Sequence, residues 1–306
     1  MSDNPHVVLD PRFNALIFGH TKLEKLWTGA RWAEGPAYFP AARHLIFSDI
    51  PNDRLLRFNE DSSTVSVFLA QGGHQNGHTV DPQGRLIACE HSGRVVSRYE
   101  HDGSRKVLAS HYQGKRFNSP NDVVVKKSDN SIWFSDPTYG IDSEYEGYVT
   151  ESEIGGSYVY RIDMKTREVT AVITDMVKPN GLAFSPDESV LYVADSGITH
   201  DPSCTPAIRA YPVNADSQGV GAGRVFATCD NGLFDGFRVD TTGNLWSSAG
   251  DGVHCFAPDG TLLGKIPVPE ICGNLTFGGP KRNRMYIMGQ TSLYALFLNT
   301  QGPKYC

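Results

Sequence analysis

The stretch KPNGLAFSPDESVLYVADS, residues 178–196, contains one complete copy of a unit that recurs along this chain. It begins with an Asn-Gly pair at Asn180 and continues into a short apolar segment. A Ser-Pro-Asp-Glu turn follows, and then a second apolar segment, VLYVAD. Two short apolar segments joined by a turn of this composition predict a β-hairpin. We therefore expect hairpins to be the building element of the fold.

An acidic or carboxamide residue begins the first strand of six such units. These residues are Glu34, Asn76, Asn121, Asn180, Asp235 and Asn274. A third strand follows in every unit, and a fourth strand can be assigned in five of them. Six units of four strands, each about 45 residues long, predict an all-β fold, a six-bladed β-propeller. A two-domain all-β sandwich is the alternative, but it does not explain why the same polar position recurs.

The repeat also predicts the domain organisation. We expect residues 1–306 to form a single propeller domain, with residues 1–21 as an N-terminal extension and residues 22–306 as the propeller. Since the last unit lacks a fourth strand, Lys22–Trp27 is the candidate to supply the outer strand of that blade. Such pairing would close the ring and remove an open sheet edge.

Propeller geometry gives the recurring polar position a meaning, because the first strand of each blade lines the central channel. The six residues, which we call the axial ring, should therefore converge at one end of the channel. They comprise two carboxylates and four carboxamides, which are hard oxygen donors suited to Ca²⁺, Mg²⁺ or Mn²⁺. The simpler interpretation is that Asn-Gly and Asp-Gly are only turn dipeptides. Six occurrences at blade spacing favour an axial metal site.

Composition excludes several other classes of protein. The 306 residues include 28 Lys and Arg against 34 Asp and Glu, so the net charge is −6, and no basic cluster predicts a nucleic-acid partner. Apolar runs such as Tyr294–Leu298 are far shorter than the roughly 20 residues of a membrane-spanning helix, so we expect no membrane partner. No secretory signal is visible at the N-terminus, and we expect a cytoplasmic protein.

The segments WAEGPAY, SPNDVVV, KPNGLAFSPDESVLYVADS and FDGFRVDTTGNLW resemble the SMP-30/gluconolactonase/luciferin-regenerating-enzyme-like family, with its bacterial gluconolactonase branch as the nearest match. The resemblance extends from about Trp32 to Tyr294. It implies a six-bladed propeller with one divalent cation in the axial channel. Ca²⁺ is the first choice, with Mg²⁺, Mn²⁺ and Zn²⁺ as alternatives.

The family's functional residues can be carried over to individual positions. Its metal ligands fall on Glu34, Asn180 and Asp235, and its catalytic aspartate also falls on Asp235. The resemblance further implies substrate-binding roles for Asn121, Arg116 and Asn118. Asn121 would touch the metal directly or through water or substrate. The chain departs from the family pattern here, because RFNSPND places extra residues between Asn118 and Asn121. His91 is a further candidate substrate donor at the rim.

These assignments imply metal-dependent hydrolysis of small lactones, with sugar lactones such as D-glucono-1,5-lactone first. The cation would polarise the lactone carbonyl, and Asp235 would act as general base and then as acid. The partner is thus a small molecule, and the sequence gives no indication of oligomeric state. Two alternatives remain at this point. One is another metal-dependent esterase or phosphotriesterase on the same scaffold, and the other is a non-enzymatic, metal-dependent binding propeller.

One segment interrupts the repeat. Residues 137–156, PTYGIDSEYEGYVTESEIGG, separate two strands of the third unit and carry five acidic residues. Long loops within compact domains are usually functional or mobile. We expect a lid over the channel mouth with Tyr139 near the site. A solvated acidic excursion is the alternative.

Overall fold

The computed structural model describes residues 6–304 and shows an all-β, six-bladed β-propeller. Each blade is an antiparallel sheet of four strands, and the fifth blade has one additional strand. The predicted fold class is therefore confirmed. No helix among residues 6–304 has both the length and the apolar character needed to cross a membrane.

The strands follow one another from the axis outward in each blade. The first blade consists of Ala33–Phe39, His44–Asp49, Arg54–Asn59 and Thr64–Ala70. The second consists of Gln75–Val80, Leu86–Glu90, Val95–Tyr99 and Arg105–Ala109. The third consists of Val123–Val125, Ile132–Asp136, Ser157–Ile162 and Val169–Met176. The fourth blade consists of Pro179–Phe184, Val190–Asp195, Ala207–Pro212 and Arg224–Thr228. The fifth contains Phe237–Val239, Leu245–Ala249, Gly252–Phe256 and Leu262–Pro267. The sixth contains Cys272–Gly278, Arg284–Gly289 and Ser292–Phe297.

A few short elements lie outside the blades. A small hairpin, His111–Tyr112 with Lys115–Arg116, precedes the third blade. The helical segments are Pro11–Ala15, Ile50–Asn52, Tyr139–Asp142 and Gly197–Thr199, and none of them exceeds five residues.

The N-terminal part of the chain completes the last two blades. Glu24–Thr28 pairs with Ser292–Phe297 and forms the outermost strand of the sixth blade, where the ring needed one. Val7–Val8 pairs with Leu262–Pro267 as a fifth strand of the fifth blade. Residues 1–5 of the expected extension, and residues 305–306, lie outside the described residues. The rest of the extension is packed onto the propeller, because the ring of Phe13 is fully buried.

The apolar core is divided among the blade interfaces. Six clusters of buried side chains each join two neighbouring blades. For example, Trp246 of the fifth blade meets Phe277 of the sixth, with ring centroids 6.5 Å apart. Hydrophobic burial therefore stabilises the contacts between blades and leaves the axis free for polar side chains.

Glycine at the inner strands allows the blades to come close at the axis. The Gly77 N–H donates to the Asn121 carbonyl of the next blade at 2.7 Å. A Cβ on Gly181 would overlap the carbonyl oxygen of Asp235, again in the next blade. The glycine that follows a ring residue thus makes room for the neighbouring blade, which a turn dipeptide alone would not require.

This close approach predicts a steric effect of Gly181→Ala. The added methyl group has to push the fourth and fifth blades apart, so we expect the free energy of unfolding to fall by about 1–3 kcal/mol. Gly19→Ala is the matched control, because a Cβ there meets no atom within 4 Å. Urea denaturation of both variants measures the difference. Equal midpoints for Gly181→Ala and wild type would contradict the packing argument.

Candidate active site in the axial channel

A cavity of about 320 Å³ opens at one end of the channel. Five residues of the axial ring line it: Glu34, Asn76, Asn121, Asn180 and Asp235. The sixth, Asn274, is buried beside them and donates from Nδ2 to Glu34 Oε2 at 2.9 Å. The structure therefore brings together the ring residues that the repeat predicted.

Irregular strand pairing orients several of these side chains. In four blades the register between the first and second strands shifts next to the ring residue, at Glu34/Ala37, Gln75/His78, Pro179/Leu182 and Cys272/Asn274. A bulge re-aims the side chains around it and ends regular pairing. The recurring polar residue thus leaves the sheet face and points toward the axis.

Glu34 presents an unpartnered carboxylate oxygen. Its Oε2 accepts from the Gly35 N–H at 2.6 Å and from Asn274 Nδ2 at 2.9 Å. Its Oε1 is buried and has no hydrogen-bond partner. Burial raises the pKa of Glu34 to about 8, although both hydrogen bonds oppose this shift. A buried carboxylate oxygen without a donor is strongly disfavoured unless a cation or a proton neutralises it.

Asp235 lines the same cavity, and its pKa is also raised. Burial raises its pKa well above the usual range, and the nearby Glu34 carboxylate raises it further. A hydrogen bond from Asn180 acts in the opposite direction. The Asn180 amide is itself held, because Nδ2 donates to Ser196 Oγ at 3.2 Å, and that hydroxyl donates to the Phe234 carbonyl at 2.7 Å.

The donor set suits a hard divalent cation. Among residues 6–304, no three His, Cys, Asp or Glu side chains are grouped so that they could hold a metal ion. The axial ring instead offers two carboxylates together with carboxamides, and no Lys or Arg is among the described residues that line the cavity. Oxygen-only donor sets of this kind favour Ca²⁺ or Mg²⁺ over softer metals. The unpartnered Oε1 of Glu34 therefore fits a cation in this channel.

The proposed sugar-binding pair does not line the cavity. Arg116 is exposed, and its Nη2 donates to the Gly93 carbonyl at 2.8 Å. Asn118 is buried, and its Nδ2 donates to the carbonyls of Asp136 and Gly156 at 3.0 and 2.8 Å. Both side chains are thus engaged with main-chain carbonyls outside the cavity lining.

His91 contacts the Asn76 side chain of the axial ring. Its Nδ1 donates to the Glu146 carbonyl at 2.9 Å, and its Nε2 lies 3.4 Å from Asn76 Nδ2. Burial lowers the pKa of His91 to about 4, so the imidazole is neutral near pH 7. It can therefore accept a hydrogen bond from Asn76 and orient that carboxamide. It does not line the cavity.

Residues 137–156 cross the cavity mouth and are fastened there. Tyr139 and Glu146 line the cavity, as the lid hypothesis expected for Tyr139. The Asp142 carboxylate lies 3.1 Å from Lys178 Nζ and 2.9 Å from His200 Nε2. Ile141 is also buried, with 3% exposure. The segment is therefore anchored to the fourth blade at Asp142, while four of its five acidic residues, Asp142, Glu144, Glu151 and Glu153, are exposed.

Sequence reasoning did not single out several residues of the cavity wall. Trp32, Leu233 and Ile271 give the wall an apolar side, and Thr199 adds a hydroxyl. Trp32 and Leu233 lie two residues before Glu34 and Asp235. This two-residue offset could have identified Trp32 and Leu233 as wall residues in the sequence, because residues that precede an inner strand lie at the channel mouth.

Comparison with known proteins agrees with this fold. The family model described as the SMP-30/gluconolactonase/LRE-like region matches residues 32–291. A gluconolactonase of Zymomonas mobilis is 33% identical over 279 residues, which cover 84% of this chain and 75% of that protein. The solved structure of XC5397 from Xanthomonas campestris, titled a gluconolactonase, is 38% identical with a TM-score of 0.89, covering 96% of this chain and 95% of the other.

A more distant structure shares the fold. Regucalcin from Agrobacterium tumefaciens, titled a calcium-binding protein, is 19% identical with a TM-score of 0.74, covering 91% of this chain and 94% of the other. The family match spans most of the chain and includes every residue of the axial ring. The chain belongs to the SMP-30/gluconolactonase/LRE-like family.

Proposed function

We propose that this chain is a divalent-cation-dependent lactonase that hydrolyses small lactones, with sugar lactones such as D-glucono-1,5-lactone as the first candidates. One observation carries the proposal: two carboxylates, the buried Glu34 and the partly buried Asp235, share a cavity with carboxamides, and no Lys or Arg is among the described residues that line it. The activity named for the two closely similar relatives supports lactone hydrolysis.

The proposed ligands of the cation are Glu34 through Oε1, Asn180 through its carboxamide oxygen, and Asp235. Asn121 lines the same cavity and would complete the set directly or through water or substrate. Ca²⁺ is our first choice, because the ligands are neutral and anionic oxygens and regucalcin shares this fold. When bound, a divalent cation supplies Lewis-acid polarisation of the lactone carbonyl and lowers the pKa of nearby water.

The side chains of the channel would perform the proton transfers. Asp235 takes a proton from the attacking water while the water oxygen bonds to the carbonyl carbon. The ring C–O bond then breaks, and Asp235 returns the proton to the leaving alkoxide, which gives the open hydroxy acid. Asn76 and Asn121 can hydrogen-bond to substrate hydroxyls from the cavity floor. Residues 137–156 limit the access of bulk water.

We expect Asp235→Asn to abolish most of the activity, because Asn cannot accept the proton. The predicted loss in kcat/KM is roughly 100-fold or more. Asp216→Asn, at an exposed turn position, is the control and should retain wild-type kinetics. Hydroxy acid formation in a pH-stat measures both variants. Circular dichroism should show folded protein in each case, because the blade cores lie away from the channel. Full activity in Asp235→Asn would remove Asp235 from the mechanism.

Metal removal tests the cofactor separately. Dialysis against EDTA should reduce lactone hydrolysis to the spontaneous rate, which is measured in a protein-free blank and subtracted. Readdition of Ca²⁺ should restore activity, and parallel samples with Mg²⁺, Mn²⁺ and Zn²⁺ rank the metals. Glu34→Gln should require a higher metal concentration for half-maximal activity. Undiminished activity of the metal-free protein would contradict the proposed cation dependence.

A further inference from the structure

A buried arginine lies in an inner strand, close to a carboxylate next to the axial ring. Arg238 belongs to the inner strand of the fifth blade and is 3% exposed. Its Nη1 donates to the Phe237 carbonyl at 2.8 Å and lies 3.8 Å from Asp122 Oδ2. Its Nε and Nη2 are buried without a protein partner. Arginine is almost never buried to this extent unless a carboxylate pairs with it. Asp122 is the carboxylate that pairs with Arg238.

Asp122 links the arginine to the ring. Its side chain is buried in the inner strand region of the third blade, and Oδ1 accepts from the Val123 N–H at 2.9 Å. Its Oδ2 faces Arg238 on one side and accepts from Asn274 Nδ2, at 3.4 Å, on the other. Both oxygens of Asp122 are therefore engaged, and the carboxylate is fixed in one orientation.

Asn274 transmits this orientation to Glu34. Its Oδ1 accepts from the Leu275 N–H at 2.9 Å, so its Nδ2 has to face the two carboxylates. A flipped carboxamide would place an acceptor oxygen against Glu34 and Asp122, which is electrostatically unfavourable. Because Nδ2 engages Glu34 Oε2, the carboxylate oxygen left without a partner is Oε1.

We propose that Arg238 is a positioning residue of the cation site, acting through Asp122 and Asn274 to hold Glu34 by Oε2 and leave Oε1 available to the cation. The inference rests on the proposed cation dependence. Groups that orient a metal ligand typically change metal affinity or activity 10- to 100-fold when they are removed. Without Arg238, Asp122 is a buried carboxylate lacking its counter-charge, and its hold on Asn274 is lost.

The test is calorimetric titration of Ca²⁺ into metal-free wild type and Arg238→Met. We expect the dissociation constant to rise roughly 10- to 100-fold in the variant. At saturating Ca²⁺, kcat should recover substantially, because Arg238 touches no substrate. Arg238→Lys retains the positive charge and should recover part of the affinity. An unchanged dissociation constant in Arg238→Met would overturn the inference, whereas failure of wild type to bind any of the four metals would overturn the proposed function.

Arg161→Met is the matched control. Arg161 is also 3% exposed and pairs with Asp129 and Asp163 at 3.5 and 3.3 Å, but it lies in the third strand of the third blade, away from the axis. Its replacement should lower the unfolding temperature and leave Ca²⁺ affinity unchanged. An equal loss of affinity in both variants would show a general effect of destabilisation and refute the positioning role.

A second variant keeps the inference testable if Arg238→Met does not fold. Asn274→Leu removes the link next to Glu34 and preserves the Arg238–Asp122 pair. It should weaken Ca²⁺ binding to a similar extent. If all variants fold, the effects of Arg238→Met and Asn274→Leu should be strongly non-additive, because both act on one carboxylate. Strict additivity, or wild-type affinity in Asn274→Leu, would show that no such linkage exists.

Discussion

Six inner strands have to approach one axis closely enough for their first side chains to meet, and this constraint shapes the rest of the molecule. Gly77 donates its N–H to the next blade at 2.7 Å, and Gly236 donates to the carbonyl of Gly273 at 2.7 Å. A Cβ at Gly236 would overlap the Asn274 side chain. The glycine after a ring residue therefore decides whether the adjacent blade can present its own polar residue to the channel.

Convergence at the axis brings two carboxylates together, and apolar packing between the blades cannot neutralise their charge. The apolar clusters lie between blades, so the channel receives the polar groups, and Glu34 and Asp235 are drawn out of water together. The Glu34 carboxylate raises the pKa of Asp235, and the Asp122 and Glu146 carboxylates raise the pKa of both residues. The Arg238 guanidinium faces Asp122 at 3.8 Å, next to the ring residue Asn121. No Lys or Arg is among the described residues that line the cavity with Glu34 and Asp235. This lack of a positive charge is the physical basis for placing a cation between the two carboxylates.

The fold and most of the axial ring could be predicted because both depend on local repetition. A polar residue at the start of each inner strand is visible in the sequence, and propeller geometry fixes where it lies. Arg116 and Asn118, which the motif indicated, do not line the cavity, and their side chains donate to the Gly93 and Asp136 carbonyls instead. Apolar wall residues such as Ile271 were missed, since in sequence an isoleucine next to a strand indicates core.

The acidic residues of 137–156 show why tertiary contacts, and not composition, assign roles. Asp142 is held by Lys178 and His200, and Glu153 lies 3.4 Å from Arg94 Nη1. These pairs fasten the segment at both ends. Between them, Glu146 alone of the five acids lines the cavity, and burial raises its pKa to about 7. In the sequence the five are equivalent, and the net charge of −6 counts them equally. Of the three acids between these anchors, Glu144 and Glu151 are exposed and only Glu146 lines the cavity.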